Sequence, residues 1–203
     1  MLQFILPYFI EFVIAIIGMG MPHAEELKLE PPFETIEANQ WADSVYNEMA
    51  MDEKIGQLFM VAAWSNKGDA HIAEIENQIK NNHIGGLIFF QGGPVRQATL
   101  TNKYQAISKV PLLIGMDAEW GLNMRLDSTI RFPRQMTIGA ANNPDMVNQM
   151  GKEIAAQCKL LGVHINFAPV VDVNNNPLNP VINSRSFGEN RELVTSLSKQ
   201  YML

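Results

Sequence analysis

Leu58-Phe59-Met60-Val61-Ala62-Ala63-Trp64, Gly86-Leu87-Ile88-Phe89-Phe90 and Pro111-Leu112-Leu113-Ile114-Gly115-Met116 are three continuous apolar runs of strand length. Two helical stretches separate them: Asp69 to Asn82, with Ile72, Ile75 and Ile79 on one face, and Pro94 to Lys109. Strands that are apolar throughout are buried on both faces, and helical crossovers between them imply a parallel sheet. The pattern continues outward from this stretch. Asn143 as N-cap, Pro144 at the first helical position and Asp145 in the first turn open a long helix ending near Gly162. Val163 to Ala168 reads as a fourth strand and Arg191 onward as a last helix. Upstream, Thr35 to Ala50 has helical spacing through Ile36, Trp41, Val45 and Met49, and Asp52 is expected to cap a short helix through Gly56.

The fold class is therefore α/β, as a doubly wound open sheet or a (β/α)8 barrel of the TIM type. Neither G-x-G-x-x-G after a strand nor G-x-x-x-x-G-K-[ST] occurs, which removes the nucleotide-binding signatures. A barrel typically needs about 250 residues. Four strands make its N-terminal half, so this reading expects a missing C-terminal half, with Ser196 to Leu203 falling inside a helix.

Residues 1–24 form an apolar leader whose one charge is Glu11 and whose run Phe4 to Ile17 is broken by Pro7. A secretory signal peptide fits its length, with Gly18-Met19-Gly20 near a cleavage site, although a basic start is missing. A retained membrane anchor and a mis-called start are the alternatives. Residues 25–34, with Pro31-Pro32, read as a linker, and 35–203 as the partial barrel. The leader implies a secreted, periplasmic or envelope-associated protein.

At 47% hydrophobic and 18% charged residues the chain can bury a core, which excludes intrinsic disorder. A net charge of −6 leaves no basic footprint for nucleic acid or anionic lipid. Cys158, the one cysteine, excludes an intramolecular disulfide and reads as a small core residue. His23, His71 and His83 are scattered without ligand spacing, so no metal and no cofactor are expected, and His164 reads as a hydrogen-bonded core histidine.

Ligands sit at the C-terminal ends of parallel strands. After the third strand come Asp117, Glu119, Trp120 and Arg125; after the fourth come Asp172, an Asn/Pro-rich rigid loop through Pro180, and Arg185. Carboxylates accept sugar hydroxyl hydrogens, guanidinium forks donate to sugar oxygens, and an indole offers a flat apolar face. Each also has a structural reading: Asp117 as a cap, Glu119 as its supporting partner, Trp120 as packing, the arginines as surface ion pairs, and Asp172 as a brace to backbone N–H groups.

Asp117-Ala118-Glu119-Trp120-Gly121 with Met124-Arg125-Leu126 resembles the D-x-E-G-G…R-L segment of glycoside hydrolase family 3. Phe132-Pro133 with Met136-Thr137-Ile138-Gly139-Ala140, Asn166-Phe167-Ala168-Pro169-Val170-Val171-Asp172-Val173, and Asn179-Pro180-Val181-Ile182 with Arg185-Ser186-Phe187-Gly188 resemble its next three motifs in order. The last form is similar to the β-N-acetylhexosaminidase branch. Trp120 departs from the family's common glycine and adds bulk at the pocket rim. The resemblance implies retaining hydrolysis of a terminal β-linked N-acetylhexosamine. It implies substrate-binding roles for Asp117, Arg125 and Arg185, with Glu119 and Asp172 in support. In that branch the acid/base is a His–Asp pair in a K-H-F-P-G-H-G-D loop, and the nucleophilic Asp lies further along. Neither occurs in this sequence, so catalytic residues are expected downstream of Leu203. The expected partner is a β-linked amino-sugar glycan. Alternatives are a β-glucosidase-type member, a non-hydrolytic sugar-binding half-barrel, and an unrelated barrel lyase or aldolase, which needs a strand-end lysine that is missing here.

Overall fold

In the computed structural model, residues 36–203 are described. The leader 1–24 and the linker 25–34 lie outside them. The chain divides after Glu48 into two units. Helix α1 (Ile36–Glu48) belongs to the first and has its expected extent to within a turn.

The second unit, from Met49 on, is a parallel sheet with crossover helices: α2 (Met51–Gly56), β1 (Met60–Ala63), α3 (Asp69–Asn82), β2 (Gly86–Phe89), α4 (Pro94–Ile107), β3 (Leu113–Met116), α5 (Gln135–Ala141), α6 (Pro144–Leu160), β4 (Ile165–Asn166) and α7 (Arg191–Met202). The strands lie in the order β1-β2-β3-β4, every pair parallel. A doubly wound sheet reverses its strand order at a switch point, whereas a barrel adds each strand beside the last. The sequential order therefore selects the barrel type of α/β winding.

The core is the seam between the sheet and its helices. Leu87, Phe89, Ile114 and Met116 on the two inner strands are fully buried, as are Ile75 on α3 and Tyr104 on α4. Each such aliphatic or aromatic side chain contributes about 1.5–3 kcal/mol. The outer strands are less enclosed: β1 is half-buried over Met60 to Ala62.

Several local expectations are corrected. The first strand does not begin at Leu58: the Leu58 and Phe59 amides continue the turn after α2, donating to Ile55 and Gly56. Leu58 is 83% exposed. Asp52 does not cap α2. Ala50 is the N-cap, and Glu53 reaches back to accept its amide at 2.8 Å. The fourth strand is two residues rather than six, and side chains join the main-chain bonds that His164 and Phe167 donate to Ile114 and Met116. His164 Nδ1 accepts from the Ile114 amide at 3.0 Å, and Asn166 Oδ1 from the Ala118 amide at 3.0 Å. His164 is hydrogen-bonded as expected but exposed rather than in the core.

Helix α5 has no counterpart in the sequence reading. Its Gly139 faces the chain at Phe187, where an added Cβ would stand 1.8 Å from the Phe187 carbonyl oxygen. Glycine here lets a helix and a loop main chain touch. Gly139→Ala improves helix propensity by about 1 kcal/mol. The backbone clash outweighs it, so a net loss of about 1–3 kcal/mol is expected. The shift of the urea midpoint at unchanged slope measures it; an unchanged or raised midpoint contradicts this packing.

Candidate active site

The C-terminal ends of the strands carry the candidate residues. Beyond Met116 the chain leaves the sheet through Asp117, Ala118 and Glu119. Ala118 is fully buried, and both of its main-chain polar groups are paired. Its amide donates to Asn166 Oδ1, and its carbonyl accepts from the Gly121 amide at 3.1 Å and from Tyr201 Oη at 3.3 Å. Burial pushes the Tyr201 phenol well above its ordinary range, keeping it a neutral donor.

Asp117 and Glu119 flank this fixed peptide, and each has its own arginine. Arg125 Nη2 donates to Asp117 Oδ2 at 2.8 Å and its Nε to the Asp117 carbonyl at 3.2 Å. Asp117 Oδ1 and Arg125 Nη1 take no part in this pair. Glu119 is 3% exposed. Arg185 closes on it with Nη2 to Oε1 at 2.7 Å and Nε to Oε2 at 2.9 Å, a fork-on-fork geometry. Arg185 Nη1 also donates to the Val181 carbonyl at 3.2 Å. These hydrogen bonds to Glu119 push the Arg185 guanidinium further from deprotonation, against its burial cost, with Asp172 and Asp117 adding to the effect.

The structure thus gathers Asp117, Glu119, Arg125, Arg185 and Asp172 at one rim. It changes two of their roles. Arg185 spends much of its fork on Glu119 and keeps one N–H on each terminal nitrogen. Asp172 braces the loop through its main chain, not its carboxylate: its carbonyl accepts from Ser186 Oγ at 2.5 Å. The carboxylate stays exposed beside Arg185. The Asn-rich loop holds itself as expected, with Asn179 Oδ1 accepting from the Val181 and Ile182 amides. Trp120 is tied to that loop: the Arg134 guanidinium lies 4.7 Å from its ring and donates to Ser184 Oγ.

The sequence reading missed the rim's other half. Trp64 follows β1 and Phe90 follows β2, and their rings stack at 5.3 Å with planes 23° apart. Arg125 also lies against Phe90, 4.6 Å from its centroid. Both aromatics are half-buried and stand just past a buried strand residue, Ala63 and Phe89. Behind them Gly92 passes so near β1's end that a Cβ would meet Ser65 Oγ at 1.8 Å. Its amide and carbonyl bind the Arg125 carbonyl at 3.1 Å and the Asp127 amide at 2.8 Å. Among the described residues no His, Cys, Asp and Glu cluster could hold a metal ion, and no helix is long and apolar enough to cross a membrane.

The two carboxylates differ in burial, with side chains 4% exposed at Glu119 and 29% at Asp117, and so in what their loss costs. Glu119→Gln leaves Arg185 without its carboxylate. A loss of about 2–3 kcal/mol is expected, below the roughly 3–5 of a fully buried pair, because the Arg185 side chain is 34% exposed. Asp117→Asn should cost about 1 kcal/mol or less, its side chain being 29% exposed. Chemical denaturation of the two variants checks the order, and the reverse order would contradict it.

The model of the glycosyl hydrolase family 3 N-terminal domain matches residues 50–203. A protein of Cellulomonas fimi named beta-N-acetylglucosaminidase/beta-glucosidase is 26% identical over 162 residues, covering 80% of this chain and 28% of that protein. Beta-hexosaminidase A of Pseudoalteromonas piscicida is 37% identical over 137 residues, covering 61% and 23%. The solved structure of a family 3 β-N-acetylglucosaminidase from Paenibacillus sp. str. FPU-7 is 33% identical with a TM-score of 0.67, covering 75% of this chain and 30% of that one. The chain spans 28% and 23% of the length of the two curated relatives. With its sequential parallel strands and this match, the chain belongs to glycosyl hydrolase family 3, through that family's N-terminal domain.

Proposed function

We propose that this chain holds a terminal, non-reducing β-linked N-acetylhexosamine for retaining exo-hydrolysis, and that it supplies the grip on the sugar. The observation that carries the reading is the Asp117–Arg125 pair at the rim, with Asp117 Oδ1 and Arg125 Nη1 both uncommitted. A sugar offers vicinal hydroxyls, each a donor and an acceptor, and a carboxylate beside a guanidinium matches such a pair. Arg185 contributes its remaining N–H groups, Glu119 fixes Arg185, and Asp172 adds negative charge beside it. Holding the ring in one orientation removes part of the barrier to cleavage that a free sugar would meet.

The names of the relatives from Cellulomonas fimi and Pseudoalteromonas piscicida favour an amino sugar. The reading assigns protonation of the leaving oxygen and nucleophilic attack to residues other than those at this rim. The apolar leader supports export to the periplasm, the envelope or the medium. A second reading, a glucoside as substrate, is favoured by the double name of the Cellulomonas fimi relative.

Calorimetric titration of the 203-residue chain with N-acetylglucosamine is expected to give saturable heat with a Kd in the millimolar range, a binding free energy of about −4 kcal/mol. Asp117→Ala should weaken it at least tenfold, as loss of hydrogen bonds to a charged group does, about 1.5–3 kcal/mol. No nitrophenol should be released from 4-nitrophenyl N-acetyl-β-glucosaminide. Wild-type binding that Asp117→Ala leaves intact would sink the assignment, and tighter binding of glucose would select the second reading.

A further inference from the structure

Four side chains from three consecutive rim segments touch in series. Lys67 Nζ lies 3.5 Å from the centroid of the Trp64 ring, Trp64 stacks on Phe90, and Phe90 carries Arg125. The sheet register accounts for the row. Ala63 pairs with Phe89 and Phe89 with Met116, so the next residue of each segment, Trp64, Phe90 and Asp117, comes side by side. The Phe90 amide still donates to the Ala63 carbonyl at 2.8 Å, which keeps that register past the named strand ends.

The row is anchored away from Arg125. The Trp64 amide donates to His71 Nε2 at 3.2 Å, the His71 ring meets the indole edge-on at 5.5 Å, and Trp64 Nε1 donates to Gln91 Oε1 at 3.3 Å. Ordinary core packing is the work of Phe89, which is fully buried, whereas Phe90 alternates to the other face and stays half-buried.

A guanidinium bound only by Nε and Nη2 to one aspartate can still tilt out of plane about its stem. An aromatic face removes that freedom, because the planar, weakly hydrated cation gains most when it lies against the ring. We propose that Phe90, backed by Trp64, is a positioning residue for sugar recognition. Its ring sets the plane of Arg125, so that the fork stays registered on Asp117 and Nη1 remains directed at the ligand. The inference rests on the sugar-holding reading of Asp117 and Arg125, but its structural part can be read without a sugar.

The test compares wild type, Phe90→Leu and Phe90→Tyr in the full chain by two readouts. The first is the nitrogen-15 NMR signal of Arg125 Nε–H, assigned by its loss in Arg125→Lys. Phe90→Leu should lose the ring-current shift and exchange with water at least tenfold faster, while Phe90→Tyr keeps both. The second is affinity for N-acetylglucosamine, expected to fall about fivefold in Phe90→Leu, the scale of one partly desolvated cation–π contact, and to recover in Phe90→Tyr. Arg125→Lys should then cost less in the Phe90→Leu background than in wild type. Slow Nε–H exchange retained in Phe90→Leu, or strictly additive losses, would overturn the proposal. If the wild-type chain binds no N-acetylglucosamine, the sugar reading fails and the Nε–H signal alone decides the positioning role. If Phe90→Leu does not fold, Trp64→Leu, which removes the backing ring, is read in the same way with the same outcomes.

Discussion

The rim depends on one buried peptide, that of Ala118. It sits where the chain leaves β3, with no water to satisfy it, so both polar groups must be paired within the protein. Asn166 supplies the acceptor, while the Gly121 amide at 3.1 Å, Tyr201 and Asn166 Nδ2 at 3.5 Å supply donors. Once that peptide is fixed, the positions of Asp117 and Glu119 on either side are fixed as well. A carboxylate as enclosed as that of Glu119 needs a cation, since burying one unpaired costs several kcal/mol. Arg185 answers that requirement and Arg125 pairs the more open Asp117, and with them the loops of Leu122 to Leu126 and Val181 to Ser186 take their places.

The junction of β3 with β4 combines main chain and side chains. The His164 and Phe167 amides donate to the Ile114 and Met116 carbonyls, while the His164 and Asn166 side chains accept the Ile114 and Ala118 amides. The Gln135 side chain donates to the Glu119 carbonyl at 2.6 Å and joins α5 to the same loop. The acidic segment after β3 is therefore held from β4, α5 and α7 together.

This division explains how much was legible in the sequence. The inner strands and the long helices could be read because burial on both faces leaves an unbroken apolar run, and because Asn143 does accept the Met146 amide as its N-cap. The strand ends could not: Leu58 and Phe59 are as apolar as Val61, and only the helix turn before them takes up their amides. Helix α5 was too short to show a period. The candidate residues were found by their place after the strands, but their pairing was hidden, since Glu119 and Arg185 are 66 residues apart and sequence carries no sign of which carboxylate meets which guanidinium. Trp64 and Phe90 were read as strand and nothing more, because an aromatic that ends a run looks the same whether it faces the core or the rim.

The grip on Ala118 also sets an order of assembly. Strands β1 to β3 can associate through contacts close in the chain, whose loop-closure cost is small. Besides the local Gly121 amide, Ala118 has partners 48 residues on at Asn166 and 83 residues on at Tyr201. As the polypeptide emerges from the ribosome, a three-stranded sheet can therefore precede the completed rim. The bonds from Asn166 and Tyr201 close only when β4 and helix α7 dock, so the segment that bears Asp117 and Glu119 is completed after the sheet that carries it.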